Sequence, residues 1–321
     1  MLPCFAAVAK ARTLDVDGVI LDLEDAVSPS SKVAARELLA SHLAGAWGDR
    51  SVAIRVNGRG TPWYEDDLRA VARLPGCAAV ILPKVESFSD IVDAGAVLRC
   101  SNANWDVPFW AMVETPRGIL EAGNIAREAT TAAATQNASV SGTAPRGLPL
   151  LECLVAGTSD LTAALGARHE PGRQPLLTAL STIVMAARAY GLRALDGVCL
   201  QVPSPSSGAA PSSSTVTEGF AEECKQGRAF GFHGKTLIHP SQVQGANDAF
   251  GPSAAEVAAA SRILGAYEEA VARGAGIVVV DGRLVEILHI HEAKAVLEFA
   301  RLLESRASGA ATGSAPTTGA T

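Results

Sequence analysis

Short runs of apolar, β-branched residues alternate along the chain with stretches in which apolar residues recur every three or four positions. The runs predict strands buried on both faces, and the stretches between them predict amphipathic helices. In chain order the predicted strands are Gly18–Leu23, Val52–Asn57, Ala79–Lys84, Phe109–Glu114, Leu150–Ala156, Gly197–Val202 and Lys235–Ile238. This alternation of strand and helix predicts an α/β fold built on a parallel sheet.

Polar residues fall at or just beyond the C-terminal ends of these strands. They are Glu24, Asp25, Arg55, Asn57, Lys84, Glu114, Asp160 and His239. The strand ends of a closed barrel converge on one mouth, whereas those of an open sheet lie along a line. We therefore predict a TIM (β/α)8 barrel in which one strand is missing or not recognised.

The composition along the chain predicts the domain organisation. We expect a catalytic barrel over residues 1–250, with two mobile insertions at 130–148 and 203–217 that are rich in Ala, Ser, Gly, Pro and Thr. Residues 251–306 read as a helix–strand–helix extension at the C-terminus. Residues 307–321 have the composition of a disordered tail.

Charge and hydropathy exclude several classes of protein. The chain has 321 residues, 48% of them apolar, and 27 basic against 33 acidic residues give a net charge of −6. It lacks the basic footprint of a nucleic-acid binder, and no apolar run approaches the roughly 18 residues that span a bilayer. Six scattered cysteines without a CxxC pair indicate free thiols. We expect a cytoplasmic protein, with mitochondria as the alternative because Lys10 and Arg12 precede the first acid.

Two carboxylates are candidates for metal ligands. Glu114 follows one apolar strand and Asp160 follows the next, in the stretch GTSD. Carboxylates at neighbouring strand ends can hold one Mg²⁺, which prefers oxygen ligands and keeps positions open for water or substrate. The alternative is that each carboxylate caps the helix that follows it.

Arg55 lies on an apolar strand, where a guanidinium needs an anionic partner. It either binds a substrate carboxylate or thioester oxygen, or forms an internal salt bridge to Glu24 or Asp25. Lys84 also lies at a strand end. An ion pair within the barrel is favoured for it over a Schiff base, because the sequence shows no acid–base constellation around it.

Six motifs occur in one order along the chain. They are VILDLEDAVSPSSKVAAR (Val19–Arg36), AIRVNG (Ala53–Gly58), VILPKVES (Val80–Ser87), VETPRGI (Val113–Ile119), GTSDL (Gly157–Leu161) and GFHGKTLIHPSQV (Gly231–Val243). The ordered set resembles the citrate lyase beta-chain-like family, which includes malyl-CoA, citramalyl-CoA and citryl-thioester lyases. The resemblance runs from about Lys10 to Leu303, interrupted by the two insertions.

The resemblance implies a TIM barrel, assembly into trimers or hexamers, and Mg²⁺-dependent cleavage of a C–C bond in a 3-hydroxyacyl-CoA thioester. It implies Glu114 and Asp160 as the metal ligands and Arg55 as the residue that binds and polarises the substrate. The remaining implied positions are Glu24 and Asp25 around the metal, Lys10 at the CoA end of the substrate, and Ile238 and His239 lining the same pocket.

Three departures from the family pattern bear on these expectations. Only Met1–Pro3 stands where the family has its first strand, so we expect that strand to be largely missing. Glu286 occupies the position of the family's catalytic aspartate, and it adds a methylene group. The 130–148 insertion lengthens the connection between the two metal ligands, which costs little because closure entropy rises slowly with loop length.

The sequence therefore predicts a Mg²⁺-dependent carbon–carbon lyase acting on a short 3-hydroxydicarboxylic acyl-CoA. Glu286 would move the proton. A thioesterase or a malate-synthase-like condensing enzyme on the same site is the first alternative. A catalytically weakened subunit that binds CoA thioesters or serves in assembly is the second.

Overall fold

The computed structural model of the chain describes residues 5–45, 47–102, 106–138, 150–202, 218–274 and 278–312. The chain divides into two compact units, Met1–Ala246 and Asn247–Thr321. The division falls close to the predicted domain boundary after residue 250.

A parallel sheet forms the centre of the first unit. Its strands are β1 (Gly18–Asp22), β2 (Ser51–Arg55), β3 (Ala79–Leu82), β4 (Phe109–Val113), β5 (Leu151–Ala156), β6 (Arg193–Asp196) and β7 (Gly234–Lys235). They pair in chain order, so each strand lies beside its neighbours in sequence. The curled seven-stranded sheet confirms the α/β class and is consistent with a TIM-like barrel.

The α-helices in the described residues up to Phe250 are α1 (Phe5–Ala11), α2 (Lys32–Leu43), α3 (Tyr64–Val71), α4 (Phe88–Ser101), α5 (Pro116–Ala138), α6 (Thr158–Ala164), α7 (Leu177–Ala189), α8 (Glu218–Phe230) and α9 (Val243–Phe250). Helices α2 to α8 connect successive strands, whereas α1 precedes β1 and α9 follows β7. The start of α4 shows why helices begin where they do. The carboxylate of Asp90 accepts hydrogen bonds from the main-chain N–H groups of Glu86 and Ser87, at 3.0 and 2.9 Å.

Two predictions for this unit are wrong, and a third holds only in part because the seventh strand, predicted at Lys235–Ile238, is Gly234–Lys235. The sixth strand is Arg193–Asp196, whereas Gly197–Val202 is not a strand. The apolar residues in 197–202 have the pattern of a buried strand. The residues that pair with β5 are instead Arg193–Leu195, which lie opposite Cys153–Val155. Residues 130–138 are helical instead of a mobile loop, because alanine favours a helix.

The rest of the first predicted insertion (139–148) and the whole of the second (203–217) lie outside the described residues.

The inward face of the sheet is apolar. Its buried layer comprises Ala53, Ala79, Ile81, Met112, Cys153 and Val155, and Ile20, Trp110 and Leu195 pack against it. On β3 all four residues are buried, as expected for a strand covered on both faces. Because side chains alternate along a strand, residues two positions further on share this inward face.

The second unit contains α10 (Ala254–Ala272), β8 (Val278–Val280), β9 (Arg283–Val285) and α11 (Ile287–Thr312). Ser253 and Glu256 form a capping box at the start of α10. Strands β8 and β9 pair antiparallel, and Asp281 and Gly282 join them with φ of 51° and 76°. Both residues of a type I′ hairpin turn require positive φ.

Two boundaries in this unit differ from the sequence prediction. A second strand, β9, follows β8 where a helix–strand–helix extension was predicted, so the last helix begins only at Ile287. That helix continues to Thr312, whereas a disordered tail was predicted from residue 307. Residues 313–321 lie outside the described part. Among the described residues, no helix is both long and apolar enough to cross a membrane.

Candidate active site

Three charged residues extend the inward face at the C-terminal ends of their strands. Asp22 lies two positions after Ile20, Arg55 two positions after Ala53, and Glu114 two positions after Met112. Asp22 and Arg55 are direct partners in the parallel pairing of β1 with β2. The alternation that buries the apolar layer therefore places these charges together at one end of the sheet.

Arg55 forms the centre of an ionic cluster. Its Nε and Nη2 donate to Oδ1 and Oδ2 of Asp22 at 2.7 and 2.6 Å. Nη2 also lies 3.1 Å from Asp25, and Nη1 lies 3.4 Å from Glu24. Burial raises the pKa of Asp22, but the hydrogen bonds and charge of Arg55 outweigh it and hold that pKa below its usual value.

The internal salt bridge predicted as the alternative for Arg55 is thus present, with Asp22 as its main partner. Asp22 was not singled out in the sequence. Two features of Asp22 could have identified it: it pairs with Arg55 in the sheet, and it lies on the same face of β1 as Ile20. Asp25, two-thirds exposed, is the outermost member of the cluster.

Glu24 is fixed through both its main chain and its side chain. The buried ammonium of Lys32 donates to the carbonyls of Leu23 and Glu24 at 2.8 and 2.5 Å. Lys32 also lies over the ring of Trp63, 5.3 Å from its centroid. The carboxylate Oε1 accepts from Lys84 at 3.0 Å, whereas Oε2 is buried without a hydrogen-bond partner. Burial raises the pKa of Glu24 above its usual value despite Lys84.

Glu114 is the most deeply buried acid of the group, with 2% of its surface exposed. Its Oε1 accepts the main-chain N–H of Lys84 at 2.8 Å. A Cβ at Gly157 would come within 2.4 Å of the Cβ of Glu114, so only glycine fits there. Burial, followed by the charge of Asp160, raises the pKa of Glu114 from 4.5 to about 8.

The geometry does not support the helix-capping alternative for Glu114. The start of α5 is capped by Thr115, whose Oγ1 accepts the N–H of Gly118 at 3.0 Å. Glu114 accepts instead from Lys84, which follows the neighbouring strand β3. Asp160 lies in the first turn of α6, and its Oδ2 pairs with the ammonium of Lys84 at 3.1 Å. Lys84 therefore joins Glu24, Glu114 and Asp160 in one network.

The Lys84 contacts agree with the predicted ion pair. Burial lowers the pKa of Lys84, but its hydrogen bonds to Glu24 and Asp160 outweigh burial and raise the pKa above the usual value. The amine is therefore protonated at neutral pH. A protonated amine is not a nucleophile, which argues against a Schiff base.

The donor set fits a hard divalent cation. Glu24, Glu114 and Asp160 supply carboxylate oxygens, and the buried Oε2 of Glu24 has no hydrogen-bond partner. Among the described residues, no group of three or more His, Cys, Asp or Glu side chains is arranged to hold a metal ion. A site with two protein carboxylates, completed by water and substrate oxygens, is the arrangement typical of Mg²⁺.

Three exposed residues were predicted to contact the substrate, Lys10 at its CoA end and Ile238 and His239 along the pocket. Lys10 is exposed on α1, and Ile238 is 52% exposed after β7. His239 caps a short 3₁₀ turn, its Nδ1 accepting from Ser241 N at 3.2 Å. The N–H groups of Ile238 and His239 donate to the side chain of Gln242. The roles of these three residues stay predictions.

Glu286 belongs to the second unit, between β9 and α11. Its side chain is exposed, and its main-chain N–H donates to Nδ1 of His289 at 3.0 Å. Its role in proton transfer stays a prediction.

A cavity of about 510 Å³ adjoins the carboxylate network on the β3 side. Lys84 belongs to the lining of this cavity and also contacts Glu24 and Asp160. Glu86, Thr115 and Arg117 are among the other lining residues.

Similarity to known proteins covers almost the whole chain. Residues 5–240 match the HpcH/HpaI aldolase/citrate lyase family. A (3S)-malyl-CoA thioesterase of Cereibacter sphaeroides is 39% identical over 292 residues, covering 91% of this chain and 89% of that protein. An L-malyl-CoA/beta-methylmalyl-CoA lyase of the same species is 32% identical over 310 residues, covering 94% and 92%.

The solved relatives include structures with bound ligands. One is the protein CitE from Mycobacterium tuberculosis in complex with magnesium, acetoacetate and coenzyme A. It is 28% identical, with a TM-score of 0.65 and 92% of each chain covered.

Proposed function

This chain belongs to the HpcH/HpaI aldolase/citrate lyase family, and on that premise we propose that it is a Mg²⁺-dependent enzyme hydrolysing a malyl-type CoA thioester. The structural observation that carries the proposal is the network in which Lys84 joins Glu114, Asp160 and Glu24 beside Arg55. Hydrolysis is preferred over C–C cleavage because the thioesterase relative is 39% identical and the lyase relative 32%.

Each residue of the network has a part in the proposed reaction. Glu114 and Asp160 would hold Mg²⁺, which would supply a Lewis acid for the substrate's hydroxyl and carboxylate oxygens. Arg55 would stabilise negative charge on the thioester oxygen. Oε2 of Glu24, which lies 3.4 Å from Nη1 of Arg55 and has no hydrogen-bond partner, would accept a proton from water as the water oxygen bonds to the carbonyl carbon. The C–S bond then breaks, and the CoA sulfur takes up that proton.

Carbon–carbon cleavage is the second candidate. It is favoured by the ordered motifs shared with lyases and by the lyase relative that covers 94% of this chain. In this reaction Glu24 would take the proton of the 3-hydroxyl, and the C–C bond of malyl-CoA would break to give glyoxylate and the enolate of acetyl-CoA. Glu286 would then supply the proton that the acetyl-CoA enolate requires.

Product analysis separates the two reactions. With (3S)-malyl-CoA and Mg²⁺ in H₂¹⁸O, we expect free CoA and malate in equal amounts, with one ¹⁸O in the malate. Phenylhydrazine in a parallel reaction traps any glyoxylate, and EDTA provides the metal-free control. Acetyl-CoA with trapped glyoxylate would establish the lyase instead. Failure to turn over any thioester in a panel of malyl-, citramalyl- and citryl-CoA contradicts both.

The raised pKa of Glu114 predicts that Mg²⁺ binding depends on pH. A carboxyl whose folded pKa is about 8, against 4.5 unfolded, must lose a proton to bind metal at neutral pH. Affinity should rise by up to about tenfold per pH unit from pH 6 to 8 and level off above. Calorimetry in buffers of different ionisation enthalpy measures the released proton, and pH-independent affinity would contradict the assignment.

The raised pKa of Glu114 also determines how this residue changes the stability of the metal-free protein with pH. Protonated Glu114 favours the folded state, so its contribution is complete below about pH 4.5 and is lost as the pH rises through about 8.

A further inference from the structure

Lys84 has a backbone conformation that is rare for its residue type. It follows β3 with φ of 54°, in the left-handed region that side chains other than glycine seldom adopt. This conformation directs its main-chain N–H to Oε1 of Glu114, 2.8 Å away. Strained backbone of this kind persists where the surroundings require it, and such sites are often functional.

The side chain of Lys84 lies between two further carboxylates. Its ammonium is 3.0 Å from Oε1 of Glu24 and 3.1 Å from Oδ2 of Asp160. One residue thus contacts both proposed metal ligands and their acidic neighbour. The ammonium supplies the positive charge that these carboxylates require when no divalent cation is bound.

Magnesium and this ammonium compete for Asp160, because Oδ2 of Asp160 already pairs with the ammonium. Two cations held against one carboxylate repel each other strongly where solvent is partly excluded. The Lys84 side chain is 46% exposed and borders the 510 Å³ cavity, where Glu86 offers another carboxylate. The ammonium can therefore move into the cavity and pair there with the carboxylate of Glu86, outside the network.

We propose that Lys84 is a resident counter-ion of the magnesium site, which the metal must displace from Asp160 in order to bind. The inference rests on the proposed binding of Mg²⁺ by Glu114 and Asp160. It assigns to Lys84 the tuning of metal affinity: the ammonium stabilises the metal-free site and weakens the binding of Mg²⁺. Lys84 is thus a positioning residue for the three carboxylates.

Titration of the substrate-free protein with Mg²⁺ by calorimetry tests the proposal. Lys84→Met keeps the length of the side chain and removes its charge, so the dissociation constant should fall about tenfold. Lys84→Arg keeps the charge and should stay within about threefold of the wild type. Arg117→Met removes a cation from the lining of the same cavity and should leave the affinity unchanged.

Thermal unfolding gives a second measurement. Metal-free Lys84→Met should melt below the wild type because its carboxylates lose their counter-ion, and saturating Mg²⁺ should raise its Tm by more than it raises that of the wild type. If the wild type binds Mg²⁺ and Lys84→Met binds it no more tightly, the counter-ion proposal is contradicted and the magnesium site is not. If the wild type binds no Mg²⁺, the magnesium site itself fails.

Discussion

Glu114→Gln is expected to abolish measurable Mg²⁺ binding and to lower turnover by at least about 10³-fold, because several kcal/mol of metal-dependent stabilisation are lost. Glutamine keeps the shape and the acceptor oxygen that receives the N–H of Lys84. With a pKa of about 8, Glu114 is mostly protonated at pH 7 in the metal-free protein, so glutamine also matches its charge there. The Tm of the metal-free variant should therefore stay close to that of the wild type.

Glu128→Gln provides the matched control. Glu128 lies on α5, the helix that follows Glu114, and its side chain is 49% exposed. The same acid-to-amide change there should alter neither Mg²⁺ affinity nor kcat/KM. If Glu114→Gln retained wild-type turnover in a folded protein, Glu114 would not be a metal ligand.

Arg55→Met is expected to lower both turnover and stability. Loss of the guanidinium removes the group proposed to stabilise the thioester oxygen, a change that costs about 10²–10³-fold in kcat. It also leaves Asp22, Glu24 and Asp25 without their shared cation. Removing one partner of a buried ion pair destabilises by about 3–5 kcal/mol. Chemical denaturation and steady-state kinetics measure the two effects separately.

A double variant distinguishes structure from catalysis at Arg55. Asp22→Asn in the Arg55→Met background removes the carboxylate that lies closest to the lost charge. It should restore part of the free energy of unfolding while leaving turnover low. Recovery of turnover together with stability would show that Arg55 only holds the fold.

Hydrophobic patterning was sufficient to predict most of the sheet. Strands β3 and β4 are continuous apolar runs, and both lie within their predicted ranges. Strand β6 was misplaced because Arg193–Asp196 is short and begins with an exposed arginine, whereas an apolar stretch follows it. Low compositional complexity was mistaken for disorder in 130–138, where alanine favours a helix.

The site was predictable in its residue types but not in its connections. Glu24, Arg55, Glu114 and Asp160 were identified as candidates, and the structure brings them into one network through Lys84. That network depends on the left-handed backbone conformation of Lys84. No local sequence pattern predicts this conformation for a lysine at the end of a strand.

Three supporting residues were also missed. They are Asp22, Lys32 and Gly157, which hold Arg55, fix the main chain at Glu24 and leave space for Glu114. The contacts of Asp22 and Gly157 are distant in sequence, whereas Lys32 reaches a carbonyl eight residues away. A single sequence shows the residue types but not these pairings.

The central claim is that Glu114 and Asp160 together hold one magnesium ion beside Arg55. Crystals grown with Mn²⁺ in place of Mg²⁺ test it directly through anomalous scattering. We predict one anomalous peak in this site, about 2.1 Å from a carboxylate oxygen of each residue. A clear Mn²⁺ peak elsewhere in the protein, with no anomalous signal between these two carboxylates, would contradict the account.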